Sequence, residues 1–292
     1  MFEDFIRSGK YLKSWSPKTE RSYRQAYSSF QASLAARIPA VEASGSPCKT
    51  DLEAWVVWMK QKGFSNGGIN CYLRAMNSFL SWLKSEEVLP TSLRIKLLPN
   101  PPKPLRGFSD LEIRSLLSFR PRGFTQIRTW TLVNTLLDTG CRIDELLGCL
   151  KASDVNFDEC ILTVSGKGSK KRHVPFSLEL RKLLFRYKMV NVKTHNGNFF
   201  CTRDGARLSY RNTYRDIKNL CAKAGVVGEH VHPHAMRHCF ATTYIRRGGD
   251  IYRLSRILGH TSISTTQIYL RSMGIEQIGE NHSSLSPLSK IS

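Results

Sequence analysis

Apolar residues in the first hundred positions recur every three or four steps, the spacing that gathers side chains on one face of an α-helix. Tyr23, Ala26, Tyr27, Phe30 and Leu34 form one such stripe. A second runs through Leu52, Trp55, Val56 and Met59, behind a Thr50–Glu53 pair that reads as a capping box. The third takes in Ile69, Tyr72, Leu73, Met76, Phe79 or Leu80, and Leu83. Together they predict an all-helical unit over residues 1–98. The pattern breaks at the run from Pro99 to Pro104, which can sustain neither a helix nor ladder pairing, so residues 99–106 read as a linker.

Beyond the linker the periods mix. Ser109 with Glu112 makes a capping box for a helix carrying Leu111, Ile113, Leu116 and Leu117. A helical stretch from Trp130 to Asp138 ends at Gly140, and Arg142 opens the next helix with Glu145 three residues on, close enough to orient its guanidinium. Two short β-prone runs, Ile161 to Val164 and Arg172 to Pro175, flank a glycine-containing turn and predict a hairpin with Lys167 at its tip. Pro233 suits the first turn of a helix that stops at Gly248-Gly249 and puts His234 and Arg237 one turn apart. Asp250 caps a helix bearing Ile251, Leu254, Ile257 and Leu258, which ends at Gly259 and leaves His260 in a turn. Tyr269 lies nine residues later, across the break TSIST.

Charge changes the picture. The 292 residues carry 44 Lys and Arg against 23 Asp and Glu, a formal net charge of +21, which argues for a polyanionic partner. The first 98 residues hold 14 basic and 8 acidic side chains, so most of the excess lies in the second half. No apolar run approaches the ~18 residues of a membrane span, and a cytoplasmic, nucleoid-associated protein is expected. Eight scattered cysteines without a C-x-x-C pair read as reduced, mostly buried thiols.

The candidate chemistry lies in four words, TGCRIDELL, SGKGSKKRHVP, HPHAMRHCFAT and LGHTSISTTQIYL, which present Arg142, Lys167, His234, Arg237, His260 and Tyr269 in that order. Guanidinium groups match phosphate oxygens, and a tyrosine hydroxyl needs cationic neighbours to ionise. No phosphate loop of the Walker type is present, because Gly168 follows the lysine. His230, His232, His234, His238 and Cys239 are dense enough to suggest zinc, but the paired short spacings of a zinc site are missing.

From about Ser109 to Leu270 the chain resembles the tyrosine recombinases, the phage-integrase and Xer type of DNA strand-exchange enzyme. Cys141 stands where relatives usually place leucine or another apolar residue, and Met236 where they usually place leucine. The resemblance implies a multidomain protein: an all-α core-binding domain (a SAM-like helical bundle) over 1–98, and a mixed α/β, mainly helical catalytic domain over 107–273. A tail over 274–292 would be exchanged between protomers. No arm-binding domain is expected ahead of the first unit.

The resemblance further implies that Tyr269 is the nucleophile of a 3′-phosphotyrosine reaction. Arg142, Arg237, His260 and His234 would act on the phosphate, Lys167 would protonate the leaving 5′-oxygen, and Glu145 would support Arg142. No metal and no cofactor are implied. Lys18, Arg21, Arg24, Lys60, Lys62, Arg74, Lys170, Lys171 and Arg172 are candidate DNA contacts. The implied partner is double-stranded DNA with short inverted-repeat core sites, bound on two sites by a homotetramer that passes through a Holliday junction. An accessory directionality factor is compatible with this scheme. Two alternatives stay open: a type IB topoisomerase using the same chemistry, and a non-catalytic DNA-binding protein of the same fold.

Overall fold

The computed structural model describes residues 1–36, 47–101, 107–166, 171–190 and 197–271, which fall into two compact units, Met1–Lys103 and Pro104–Ser292. Lys167, Lys170 and the segment 274–292 lie outside the described residues.

The first unit is built from helices α1 (Phe2–Leu12), α2 (Pro17–Ala35), α3 (Lys49–Gln61) and α4 (Asn66–Ser85). The three expected stripes are the buried faces of α2, α3 and α4, and α1 adds Phe5 and Ile6 to the same core. Aromatic rings dominate it. Phe2 stacks on Tyr27 at 3.9 Å, Trp15 on Tyr23 at 4.3 Å, and the fully buried Trp55 donates its indole N–H to Ser29 Oγ at 3.1 Å. The capping box expected at Thr50 and Glu53 sits two residues earlier. Asp51 accepts from the backbone N–H of Cys48 at 3.2 Å, because α3 begins at Lys49 and only residue Asp51 lies at its third position.

Two asparagines on α4 explain how the segment 95–98 is held. Asn70 exchanges hydrogen bonds with the backbone of Leu98, donating at 2.9 Å and accepting at 2.8 Å. Asn77 does the same with Ile95, at 2.9 and 3.0 Å. Seven residues are about two helical turns, so both amides face one extended strip and stand in for a missing β-partner.

The second unit is mostly helical, with α5 (Asp110–Ser118), α6 (Gly123–Thr139), α7 (Ile143–Gly148), α8 (Leu178–Val190), α9 (Tyr210–Lys223), α10 (Pro233–Arg246), α11 (Ile251–Leu258) and α12 (Ser264–Arg271). A three-stranded antiparallel sheet, β1 (Val155–Asn156), β2 (Ile161–Ser165) and β3 (Lys171–Pro175), lies between α7 and α8 in the chain. The expected hairpin is β2–β3, with Leu162 opposite Val174 and Ser165 opposite Lys171. Leu162, Val164 and Val174 are buried and the intervening residues are more exposed, so alternation fixes the register.

Helix α6 is the hub, packed by α8, α9 and α10 and buried on most of its surface from Arg128 to Leu136. It begins at Gly123, seven residues before the stretch that the apolar pattern marks. Polar residues hide its first half from that pattern: the buried Thr129 returns its hydroxyl to the Thr125 carbonyl at 2.8 Å, and the buried Arg128 donates to Asp216 at 3.0 Å. Polar by type, they are satisfied inside the core. The Ser109–Glu112 box closes as expected, at 3.2 and 2.8 Å. Of the eight cysteines, all free, Cys141, Cys201, Cys221 and Cys239 are buried, whereas Cys48, Cys71 and Cys149 are exposed, which corrects the expectation of mostly buried thiols.

Candidate active site

Local structure brings Arg142, Arg237, His260 and Tyr269 to one end of α11. Arg142 is the N-cap of α7, and Glu145 at the third helical position accepts from its backbone N–H at 2.7 Å. The R-x-x-E spacing is therefore a capping arrangement that also fixes the start of the helix. The Arg142 side chain stays 40% exposed, donating from Nη1 to Glu145 Oε1 at 3.2 Å and to the Leu258 carbonyl at 3.4 Å.

Arg237, by contrast, is buried on α10. It donates to the carbonyls of Gly140 at 2.7 Å and Leu258 at 2.8 Å. Gly140 presents its carbonyl because it ends α6 in the left-handed conformation, at φ 61°. Burial, and next the charge of Arg142, pull the Arg237 guanidinium below its ordinary pKa.

The carbonyls at the end of α11 are the anchor. A helix leaves its last carbonyls without intrahelical partners and carries partial negative charge there, both suited to guanidinium donors. Leu258 receives Arg142 and Arg237, and Ile257 receives Arg172 Nε at 2.7 Å. Arg172 also forks onto Glu145, with Nη1 to Oε1 at 2.7 Å and Nη2 to Oε2 at 2.8 Å. Burial raises the Glu145 pKa, but the Arg172 fork and then Arg142 outweigh it and hold the carboxyl below its ordinary range. Gly259 closes α11 at φ 66°, and a Cβ there would come within 2.9 Å of Arg172 Nη1.

His260 follows in the turn, and its protonation can be read from its partners. Arg237 Nη2 lies 2.9 Å from His260 Nε2, and a guanidinium only donates, so Nε2 accepts. The proton then sits on Nδ1, 2.8 Å from Thr266 Oγ1. Burial first, then Arg237, Arg142 and Arg172, lower the imidazole pKa to about 4, consistent with a neutral ring. The Tyr269 ring on α12 lies nearly parallel to His260, with centroids 6.3 Å apart, and 5.3 Å from the buried ring of His238.

Residues 108–274 match the phage integrase family. Tyrosine recombinase XerC of Neisseria gonorrhoeae is 30% identical over 278 residues, covering 92% of this chain and 88% of that protein. Tyrosine recombinase XerA of Pyrococcus furiosus is 32% identical over 79% of each. The chain belongs to the phage integrase family: it is a site-specific DNA recombinase of the tyrosine type. The fold agrees. The Tn1549 transposon integrase, solved with a circular intermediate DNA, superimposes with a TM-score of 0.75 at 20% identity, covering 96% of this chain and 98% of that one. XerH bound to its difH substrate gives 0.74 at 20%, covering 96% and 83%.

Two of the candidate DNA contacts in this recombinase are already engaged within the protein. Arg24 forks onto Glu3 at 2.6 and 2.9 Å and donates from Nε to Glu20 at 3.0 Å, so its donors face carboxylates. Arg172 is inside the cluster, tied to Glu145 and α11. A basic residue in a basic chain says nothing about the acid that folding brings beside it. Lys18, Arg21, Lys62, Arg74 and Lys171 are exposed; Lys60 is also exposed and bonds Asn66, and Lys62 lies 5.8 Å from the centre of the Trp58 ring.

The histidines suspected of metal binding separate into different tasks. His230 pairs with Glu112 at 3.0 Å, His232 caps α10 by accepting from the Ala235 N–H at 3.0 Å, and His234 is exposed on the first turn. Among the described residues no group of three or more His, Cys, Asp or Glu side chains is placed to hold a metal ion.

Proposed function

We propose that this cluster holds the scissile phosphate of DNA and that Tyr269 attacks it. One observation carries the reading: three guanidiniums, Arg142, Arg172 and Arg237, gather round one carboxylate, Glu145. Arg172 takes both oxygens of that carboxylate, so the charge of Arg142 and Arg237 is left without an equal counter-charge. A phosphodiester supplies a negative charge and two non-bridging oxygens for such donors.

In this scheme the Tyr269 oxygen attacks phosphorus. The Tyr–O–P bond forms as the bond from phosphorus to the 5′-oxygen breaks, leaving a 3′-phosphotyrosine. Lys167 gives a proton to the leaving 5′-oxygen and His234 takes the phenolic proton. The phosphate charge offsets the surrounding cations, so His260 Nε2 regains a proton and donates to a phosphate oxygen. The phosphotyrosine keeps the energy for religation, and the scheme uses no metal or cofactor.

The substrate is duplex DNA with short inverted-repeat core sites, bound as a homotetramer on two sites and resolved through a four-way junction. The palindromic difH substrate of XerH supports a site of this kind. The helical unit acts as a core-binding clamp, with Lys18, Arg21, Lys60, Lys62 and Arg74 as phosphate contacts, and Lys171 on β3 of the second unit is a further one.

The test is a suicide duplex carrying a nick beside the cleavage position. The unaltered protein should accumulate a covalent protein–DNA adduct, whereas Tyr269→Phe should bind the same duplex and form none. An adduct with the phenylalanine variant would identify another nucleophile. Inhibition by a chelator that added metal reverses would overturn the metal-free scheme.

A further inference from the structure

The partly buried Arg172 is unlike its basic neighbour on the strand. Lys171 beside it is exposed, whereas the Arg172 side chain is 14% exposed and its three kinds of guanidinium nitrogen are all engaged. Its partners come from two elements that are far apart in the chain. Glu145 belongs to α7, whose N-cap is Arg142, and the Ile257 carbonyl belongs to α11, whose next carbonyl holds Arg142 and Arg237. Gly259 leaves space for the guanidinium on the far side. One planar group on strand β3 therefore ties together α7 and α11, the two pieces of chain that aim both phosphate-facing arginines.

We propose that Arg172 is a positioning residue for strand cleavage: it locks the Glu145 carboxylate to the end of α11 and so keeps Arg142 and Arg237 in register with each other. The inference rests on the phosphate-binding reading of the cluster. Arg172 reaches the substrate only through these partners. A fork is required for the task, because an ammonium cannot hold both carboxylate oxygens in one plane and a backbone carbonyl beside them. Misplacement by about 1 Å in such a constellation costs roughly 10²-fold in rate.

Charge gives a readout that a purely structural role would leave unmoved. Glu145 faces Arg142 from its own helix, Arg172 from β3, Arg237 from α10 and the Cys141 thiol from the preceding turn. With Arg172 gone, burial is opposed by fewer cations, so Glu145 takes up a proton at higher pH than in the unaltered protein.

The experiment measures single-turnover adduct formation on the suicide duplex at saturating DNA, from pH 5 to 9, together with the salt dependence of binding. Arg172→Gln should slow adduct formation roughly 10²-fold while leaving the salt slope unchanged. Its rate should fall further towards pH 5, and the Arg172→Gln, Glu145→Gln double variant should lose that acid limb. Arg172→Lys should show a smaller loss of rate, and it serves where the glutamine variant does not fold. A salt slope reduced by about 0.9 with the saturated rate intact would make Arg172 a phosphate contact and overturn the proposal. So would an unaltered rate in the lysine variant, or failure of both variants to fold. Failure of the underlying reading is distinguishable, since the unaltered protein would then give no adduct.

Discussion

The two units bury different things. In the first, the core is aromatic and aliphatic, and among the described residues its buried polar ones are Ser33 and Asn70, both hydrogen-bonded to backbone. In the second, Arg128, Glu145, Arg237, His230 and His238 are buried among the apolar side chains. Taking charge out of water costs several kcal/mol per ion unless partners repay it, so the second unit holds groups that stability alone would not select. Within it a further contrast separates scaffold from site. Arg128 meets its own counter-ion, Asp216, at 3.0 Å and the Cys201 carbonyl at 3.3 Å. Arg237 meets carbonyls and an imidazole, with no carboxylate among its hydrogen-bond partners in the described residues. A buried arginine with an acid of its own holds the fold. One held only by dipoles is ready for an anion.

That contrast can be broken by exchanging each arginine for lysine. Arg237→Lys keeps the charge but cannot reach Gly140, Leu258 and His260 together, and adduct formation at saturating DNA should fall about 10²–10³-fold. Arg128→Lys should lower thermal stability and leave the adduct rate of the folded protein unchanged. Equal losses of rate in the two variants would mean that buried arginine as such, rather than its lack of an acid, marks the site.

The first unit makes the complementary test. Trp55→Ala removes a fully buried indole that touches Phe30 and Tyr72 edge-on, at 5.5 and 6.3 Å between centroids. A loss of about 3–5 kcal/mol is expected from the transfer and cavity contributions, measured by denaturant unfolding. Adduct formation by the folded, DNA-bound fraction should keep its rate. A large change in that rate would show that the aromatic core takes part in the chemistry.

How much of this is legible in the chain depends on whether the signal is local. The helical stripes, the Ser109–Glu112 cap, the β2–β3 hairpin and the turn holding His260 are local patterns, and each lies where periodicity and turn chemistry put it. The first half of α6 escapes because its buried residues, Arg128 and Thr129, are polar by type and find their partners only in the folded chain. The order of Arg142, His234, Arg237, His260 and Tyr269 points to the site, but spacing cannot show that α11 supplies the carbonyls holding the arginines. The ion pairs of Arg24 with Glu3 and of Arg172 with Glu145 span 21 and 27 residues and are illegible in the sequence, whereas the Arg24–Glu20 pair, four residues apart on α2, is local. Asn70 and Asn77 carry a signal that apolar periodicity passes over, two amides seven residues apart on one helix, facing an extended strip.

His238 gives the smallest and sharpest test of the contrast between scaffold and site. It is buried, its Nδ1 has no hydrogen-bond partner among the described residues, and its ring lies against Tyr269. Burial lowers its pKa, so the ring is neutral near pH 7 and its burial does not add to the positive charge of the cluster. A buried polar atom left unsatisfied costs about 1–3 kcal/mol, whereas phenylalanine keeps a ring against Tyr269 and removes that atom. If His238 is scaffold, His238→Phe should be neutral or stabilising by about 1 kcal/mol, a rise in melting temperature of roughly 2–4 °C, with adduct formation unaltered. A stable variant that cleaves slowly would point the other way: the unpaired nitrogen gains its partner only when DNA is bound, and His238 belongs with Arg237 rather than with Arg128.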